Sequence, residues 1–533
     1  MALTKKQNRI GYFVCLAVVL IILGCIYGPT AILRWNYKIY QDQHEARLYT
    51  QAQELLPTVQ KSTTASLHFK YQDLMKDAGK INVLQQQYKA WVDKDPQNPA
   101  LTALQSRIAN TPEQKQTLLE KALKSKRRNQ PKNETALFVK IEDILDSGMT
   151  LEAAQLINSI KSECWLRYLM EARIARRLAD IDGAKDAFKK SINSPGVPIS
   201  VANEYANFIC SWTDISTGAR PNPFAQWGKQ DLQQNPVAYA YHAWLADKIA
   251  YDSPDELPNE LLYNPEALAI YCRPALTADT PNSQLDKIET LMNRAKKIAP
   301  ENPKVLVNYG LMELAKRDTS DNDIQKANAY FSTGLDKSKP AANSLFHVQM
   351  GNELSSIKKL DIAGLHYKKA WGKMPEDGLF LKLMADFHIE NKSQTNAIKI
   401  LEQARTILPN DSPMLHKLGD IYFKKDDLDK ARGVYGMLIE IDEHDNPARD
   451  RIAEIWLKKN NPSRAIQVYN VLSKRDPNNG HCYAQVAHIL IKHNSIDQAD
   501  KFLKKVLKKY PDIRDKQDIL EAVNAVELAK NKQ

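Results

Sequence analysis

The chain has 533 residues, 43% hydrophobic and 26% charged, and a formal net charge of +11. That length is too great for one compact core, and the positive balance favours acidic partners or an anionic surface. Six cysteines (Cys15, Cys25, Cys164, Cys210, Cys272 and Cys482) include no pair at metal-ligand or redox spacing, which argues against a zinc module or a dithiol site. They leave a Cys210 to Cys272 bridge and isolated buried thiols as the two readings.

Residues 1–9 carry Lys5, Lys6 and Arg9, and Ile10 to Leu33 is a stretch of twenty-four positions without a charge, followed by Arg34. About 20 apolar residues cross a bilayer as a helix, so 10–33 is expected to be one transmembrane helix. Trp35, Tyr37 and Tyr40 stand where amphipathic rings favour headgroups. An uncleaved signal anchor would leave 1–9 in the cytoplasm and the remainder outside it. In the alternative reading, Ile22-Leu23-Gly24-Cys25 is a lipoprotein box with Cys25 lipidated, and ordinary cleavage is the third. In all three the bulk of the chain lies beyond the cytoplasmic membrane of a bacterial cell, in the periplasm of a Gram-negative one.

Residues 34–80 read as a juxtamembrane helical segment. From 81 to 194 the helices look repeat-like but irregular: Leu84, Tyr88 and Trp91 precede Leu101, Leu104 and Ile108, with breaks at Asp95-Pro96 and Asn98-Pro99. Ala153, Ala154 and Ile157 echo a spacing repeated by Ala172, Ala184 and Phe188. A basic run, Lys121, Lys124, Lys126, Arg127, Arg128 and Lys132, is a solvated face or a patch for an anionic surface or polymer. Lys501, Lys504, Lys505, Lys508 and Lys509 form a second run.

Residues 195–281 hold ten prolines and the tryptophans Trp212, Trp227 and Trp244. This composition predicts interrupted helices, and the three rings suggest a stacking surface for a sugar or peptide or the packing of odd helices. In 282–344 degenerate units follow, outlined by Ala295 with Pro300 and by Tyr309, Gly310, Ala327 and Phe331 around an acidic loop at Asp318 to Asp323.

The register becomes strict over 345–511, where Ala363, Ala397, Ala431, Ala465 and Ala499 lie thirty-four residues apart. Twelve positions before them stand Gly351, Ala385, Gly419, Ala453 and Ala487, and four after come Tyr367, Leu401, Tyr435, Tyr469 and Leu503. Pro375, Pro409, Pro477 and Pro511 close four units, with Glu443 in the remaining one. A fixed period of this kind means one helical hairpin stacked repeatedly, because a lone hairpin cannot bury its apolar face. Residues 512–533 are expected to cap the stack as a helix.

These columns resemble the tetratricopeptide repeat. The resemblance implies an all-α, helical-hairpin solenoid, a right-handed superhelix, here preceded by one transmembrane helix. It further implies that the first helix of each unit lines a concave groove that binds other proteins. One lining column is Asn352, Asp386, Asp420, Glu454 and His488; another is Val348, Lys382, His416, Asp450 and Ala484; a third is Ser356, Glu390, Lys424, Lys458 and Lys492. Asp420 with Lys424 and Glu454 with Lys458 also read as i,i+4 helix pairs. Asn352 suits the family's clamp for a chaperone carboxylate, but Val348 replaces its lysine and Asp386 its second asparagine, so such a clamp is not expected.

No phosphate loop, dinucleotide fingerprint, nucleophile elbow or paired-histidine zinc helix occurs, and no enzymatic activity, cofactor or metal is expected. The cluster His481, Cys482, His488 and His493 has poor angles for one metal, and the paired CxxC module of lipopolysaccharide-control repeat proteins is missing. Nucleic acid is not an expected partner outside the cytoplasm. The sequence therefore points to a membrane-anchored scaffold in an envelope, secretion or polysaccharide assembly. The competing expectation is a carbohydrate- or peptide-binding protein, or an enzyme, with its site in 195–281.

Overall fold

The computed structural model describes residues 5–124, 133–212, 221–249, 256–276, 281–316, 320–337 and 344–531, with side chains from Gly28 onward apart from residues 282, 345 and 346. Every element among them is helical, and they form two compact units, Met1–Leu379 and Phe380–Gln533.

In the first unit, α1 (Lys5–Val59) precedes α2 (Ala65–Asp77), α3 (Ile81–Lys94), α4 (Pro99–Ser106), α5 (Pro112–Lys124), α6 (Glu134–Asp146), α7 (Thr150–Ile157), α8 (Trp165–Arg177) and α9 (Ile181–Ile192). Then come α10 (Ile199–Trp212), α11 (Lys229–Gln234), α12 (Pro236–Leu245), α13 (Asn259–Leu262), α14 (Pro265–Cys272), α15 (Asn282–Ile298), α16 (Pro303–Ala315), α17 (Asp321–Lys337), α18 (Ser344–Ser356) and α19 (Leu360–Trp371). The second unit begins within α20 (Gly378–Glu390). It continues through α21 (Gln394–Ile407), α22 (Ser412–Lys424), α23 (Leu428–Ile441), α24 (Asn446–Lys458), α25 (Pro462–Arg475), α26 (Gly480–Lys492), α27 (Ile496–Lys509) and α28 (Gln517–Lys530).

From α18 onward, first helices start at 344, 378, 412, 446 and 480, and second helices at 360, 394, 428, 462 and 496. The chain is thus a helical-repeat fold of the tetratricopeptide kind. One backbone device makes each hairpin. Lys358, Lys392, Asp426, Asn460 and Asn494 take positive φ, 53–61°, and the next amide bonds back to the carbonyl five residues earlier, as in Asp427 to Tyr422 (2.9 Å) and Asn461 to Trp456 (2.8 Å). This left-handed cap with its six-to-one bond ends a helix and turns the chain sharply. It also appears at Gly79, Gly148, Ala179 and Asp247, where Lys80, Met149, Asp180 and Lys248 make the corresponding bonds. Hairpins therefore run through the first unit as well.

Packing follows the small and large columns. Ala363, Ala397, Ala431, Ala465 and Ala499 have no exposed surface, and Tyr435 and Tyr469 behind them are buried. A Cβ on Gly419 would lie 2.7 Å from the Tyr435 ring, and Gly351 and Gly310 meet Tyr367 and Phe331 in the same way. The glycine is the space that the aromatic ring of the second helix fills. At the C-terminus α28 covers α26 and α27, burying Ile519, Ala522 and Val526.

Region 195–281 is less irregular than its prolines suggest. Pro236 and Pro265 occupy the first turns of α12 and α14, where a missing amide costs nothing, and α10, α12, α14 and α16 pack in succession. What departs from the pattern is the second helix, shortened to α11 and α13.

Among the described residues no helix is long and apolar enough to cross a membrane. The side chains of residues 1–27 lie outside the described residues, and with them most of the expected span 10–33, Cys15 and Cys25. Lys126, Arg127, Arg128, Lys132 and Asp318 are outside them too.

Gly419→Val should destabilise the chain by about 1–3 kcal/mol through overpacking against Tyr435. Urea unfolding measures this, and the same change at Gly433, inside α23 and with nothing within 4 Å, should cost nothing, because valine has the higher helix propensity of the two.

Candidate functional site

In the second unit the first helices α20, α22, α24 and α26 carry the expected groove columns, and the polar groups on them are joined from hairpin to hairpin. Asp411 accepts the Met414 amide at 2.9 Å as the N-cap of α22, while its other oxygen takes the Lys382 ammonium at 2.6 Å. Asp445 repeats this one unit on, capping α24 at Ala448 (2.9 Å) and bonding His416 Nε2 at 2.8 Å. Each carboxylate thus satisfies an orphan amide and ties its helix to the preceding one. Neither aspartate was legible from the groove columns, although the 34-residue spacing of Asp411, Asp445 and Asn479 was there to find.

The carboxylate column and the neighbouring Asp450 are paired both between hairpins and within them. Asp386 receives Lys417 at 2.5 Å; Asp420 accepts the Tyr435 hydroxyl at 2.7 Å and lies 3.4 Å from Arg451, which also bonds Glu454 at 2.9 Å. Asp450 accepts from Tyr469 at 2.7 Å and pairs with His481 at 2.9 Å. Burial first, and then Asp420 or Asp450, raises the Tyr435 and Tyr469 pKa values. The expected i,i+4 pairs are corrected here: Asp420 takes Arg451 and Tyr435 in place of Lys424, and Lys458 reaches Asp426 at 3.6 Å and the Phe423 ring at 4.2 Å. The reason is geometric, since the stacking of neighbouring hairpins brings Arg451 to Asp420 and Lys458 to Asp426, thirty-one and thirty-two residues away, within ion-pair distance.

Lys424, Lys458 and Lys492 are exposed, and His488 is half-buried. Asn352 is half-buried on α18 in the first unit, beside the fully buried Val348. His481 and Cys482 do not converge with His488 and His493: Cys482 is core, and among the described residues no three metal-capable side chains meet. No disulfide joins Cys210 and Cys272.

Two clefts of the first unit take most of their lining from the 195–281 region. One, of about 510 Å³, lies between α1, α2 and α10 and holds His44, Lys70, Asp73, Asp77, Asn203 and Trp227. Burial raises the Asp77 carboxyl, with Asp73 adding to it, and lowers His44. The other holds Tyr241, Trp244, Arg273, Asn308 and Glu353, with Arg273 paired to Glu353 and Tyr241 bonded to Asn207 at 2.9 Å. The three tryptophans do not share one surface: Trp212 lies beside Arg176 (5.9 Å), Trp227 beside Phe224 (6.4 Å), and Trp244 stacks on Tyr241 (6.4 Å).

Around these clefts a series of partly buried ion pairs crosses the first helices. Arg107 holds Glu142 at 2.7 Å and Asp73 at 2.8 Å, Arg173 forks onto Glu204 at 2.8 and 2.7 Å, and Arg176 meets Asp377 at 2.9 Å. Such bidentate pairs add geometric specificity to helix stacking.

No protein-family model matches the chain, and no curated protein sequence does. Among solved structures it is similar to the Cut9–Hcn1 hetero-tetramer of the APC/C, with 13% identity, 84% of this chain and 94% of that chain covered, and a TM-score of 0.30. It is also similar to YrrB, described as a TPR protein with an unusual peptide-binding site, with 17% identity, 36% of this chain and 97% of that one covered, and a TM-score of 0.27.

The Asp450 hydrogen bond raises the His481 pKa, with Asp518 adding to it. A raised folded pKa stabilises fully below the unfolded value of about 6.5 and is lost as pH rises through the folded value. The stability difference between the native chain and His481→Gln should therefore shrink from pH 5.5 to pH 8.5 in urea titrations, and Asp450→Asn should flatten most of that dependence.

Proposed function

We propose that the chain is a protein-interaction scaffold whose first-helix face between Lys382 and Lys492 docks a helix or extended segment of alternating charge. The observation that carries this reading is the ladder itself. Asp386, Asp420 and Glu454 stand at repeat spacing with Asp450 one turn before the last; Asp386, Asp420 and Asp450 are each held by a basic side chain of the next hairpin, and Glu454 by Arg451, which also faces Asp420, beside exposed Lys424, Lys458 and Lys492. Side chains fixed in this way lose little rotamer freedom on binding, so a partner's charges meet a pre-ordered array. Half-exposed pairs contribute only about 0–1 kcal/mol each to folding, which leaves them available for recognition.

The scaffold is tethered, in this proposal, by residues 10–33 and acts outside the cytoplasm, within an envelope, secretion or polysaccharide assembly. The uncharged run and its flanking Lys5, Lys6, Arg9 and Arg34 support the tether.

In cross-linking and co-purification from cells, the full chain with Asp420→Lys and Glu454→Lys should lose at least tenfold of its captured partners, whereas Trp227→Ala with Trp244→Ala should lose none. Equal capture by the groove variant would remove the basis of the reading, and selective loss in the tryptophan variant would move the site to 195–281. Reporter fusions after Gln533 should be active only outside the cytoplasm.

A further inference from the structure

The last turn of the expected span and the C-terminal half of α15 enclose a cleft of about 440 Å³. Its apolar walls are Leu33, Leu262 and Leu291, the latter two buried, and its polar side is formed by Thr290, Arg294 and Lys297. Arg34 closes the upper edge, donating from Nε to the Lys297 carbonyl at 3.0 Å. Among the described residues neither Arg34, Arg294 nor Lys297 has a carboxylate within ion-pair distance; Asp42 and Glu45 lie further along α1 in the adjoining hollow. The cleft therefore joins an apolar floor to an uncompensated cationic rim.

Its height is set by firm contacts. Tyr40 stacks on Tyr263 at 4.7 Å, Asn36 donates to the Tyr263 hydroxyl at 3.1 Å, and Arg294 lies 4.4 Å over the same ring while bonding the Leu262 carbonyl at 2.7 Å. These fasten α15 beside Pro29 to Arg34, a rise of roughly 8 Å, which is about the depth of one headgroup layer. On another face of α1, Ile32 (63% exposed), Trp35 (68%) and Ile39 (38%) form a bare apolar stripe, suited to the interface in which amphipathic side chains settle. The stripe and the cleft flank the helix at one level.

We propose that this cleft binds an anionic phospholipid, with the phosphate against Lys297, Arg294 and Arg34 and the upper acyl chain along Leu33, Leu262 and Leu291. The inference rests on the tether in the proposed function. A lipid seated there would fix the orientation of the first unit at the bilayer, which a single span by itself does not do.

The test uses the full chain in detergent micelles, with native mass spectrometry reading bound phosphatidylglycerol or phosphatidylcholine of matched acyl chains. The native chain should retain phosphatidylglycerol at no more than a tenth of the concentration needed for phosphatidylcholine, with millimolar inorganic phosphate failing to displace it. Lys297→Glu, at an exposed side chain, should lose that preference, and Arg294→Lys should keep it. Equal retention of the two lipids, an unchanged preference in Lys297→Glu, or displacement by phosphate would overturn the proposal. Carbonate extraction from vesicles reads the tether separately. Release of a chain that still prefers phosphatidylglycerol in micelles would sink the tether alone, and a chain that resists extraction without any preference would sink the lipid site alone.

Discussion

Each of the five regular hairpins depends on one residue held in the left-handed region and on the six-to-one hydrogen bond that follows it. The turn at Lys358, Lys392, Asp426, Asn460 or Asn494 brings the second helix back across the first at a set angle, and the small and aromatic columns can interlock only at that angle. A left-handed conformation costs a residue with a Cβ roughly 1–2 kcal/mol, so it persists because the buried alanine and ring behind it over-determine the local geometry. Asparagine and aspartate tolerate it best, which accounts for three of the five residues.

Upon this frame the polar groups are arranged to act between hairpins. The N-cap aspartates Asp411 and Asp445 each serve two helices, and the same logic in the first unit links Asp73, Arg107 and Glu142. Inter-repeat pairing makes each stack cooperative, since removing one member leaves its partner exposed to a neighbour without compensation. It also produces the ordered charged face on which the proposed docking rests. The α1 contacts with Tyr263 and Lys297 extend the same principle to the N-terminal helix, which is held by rings, amides and carbonyls as well as apolar burial.

Legibility differed by residue type. The columns at Ala363 and Gly351 announced themselves because close helix approach admits only small side chains. Gly79, Gly148, Ala179 and Asp247 gave no such signal, because the left-handed turn accepts several residue types and the upstream spacing drifts. The prolines of 195–281 read as interruptions, although Pro236 and Pro265 start helices; a proline's effect depends on which turn of a helix it enters. The groove columns fall on the first helices, but a linear reading pairs Asp420 and Lys458 along one helix, since it measures separation only within an element.

The sequence by itself determined the helical-hairpin period, its register over 345–511, the residues at the core of each unit and the uncharged stretch at 10–33, because all of these are local patterns of size and polarity. Only the tertiary structure decided which charges meet, that Trp227 and Trp244 line different clefts, and that α15 lies beside Pro29 to Arg34. Those outcomes depend on distances between elements far apart in the chain, which the packing of helix on helix sets and no single segment encodes.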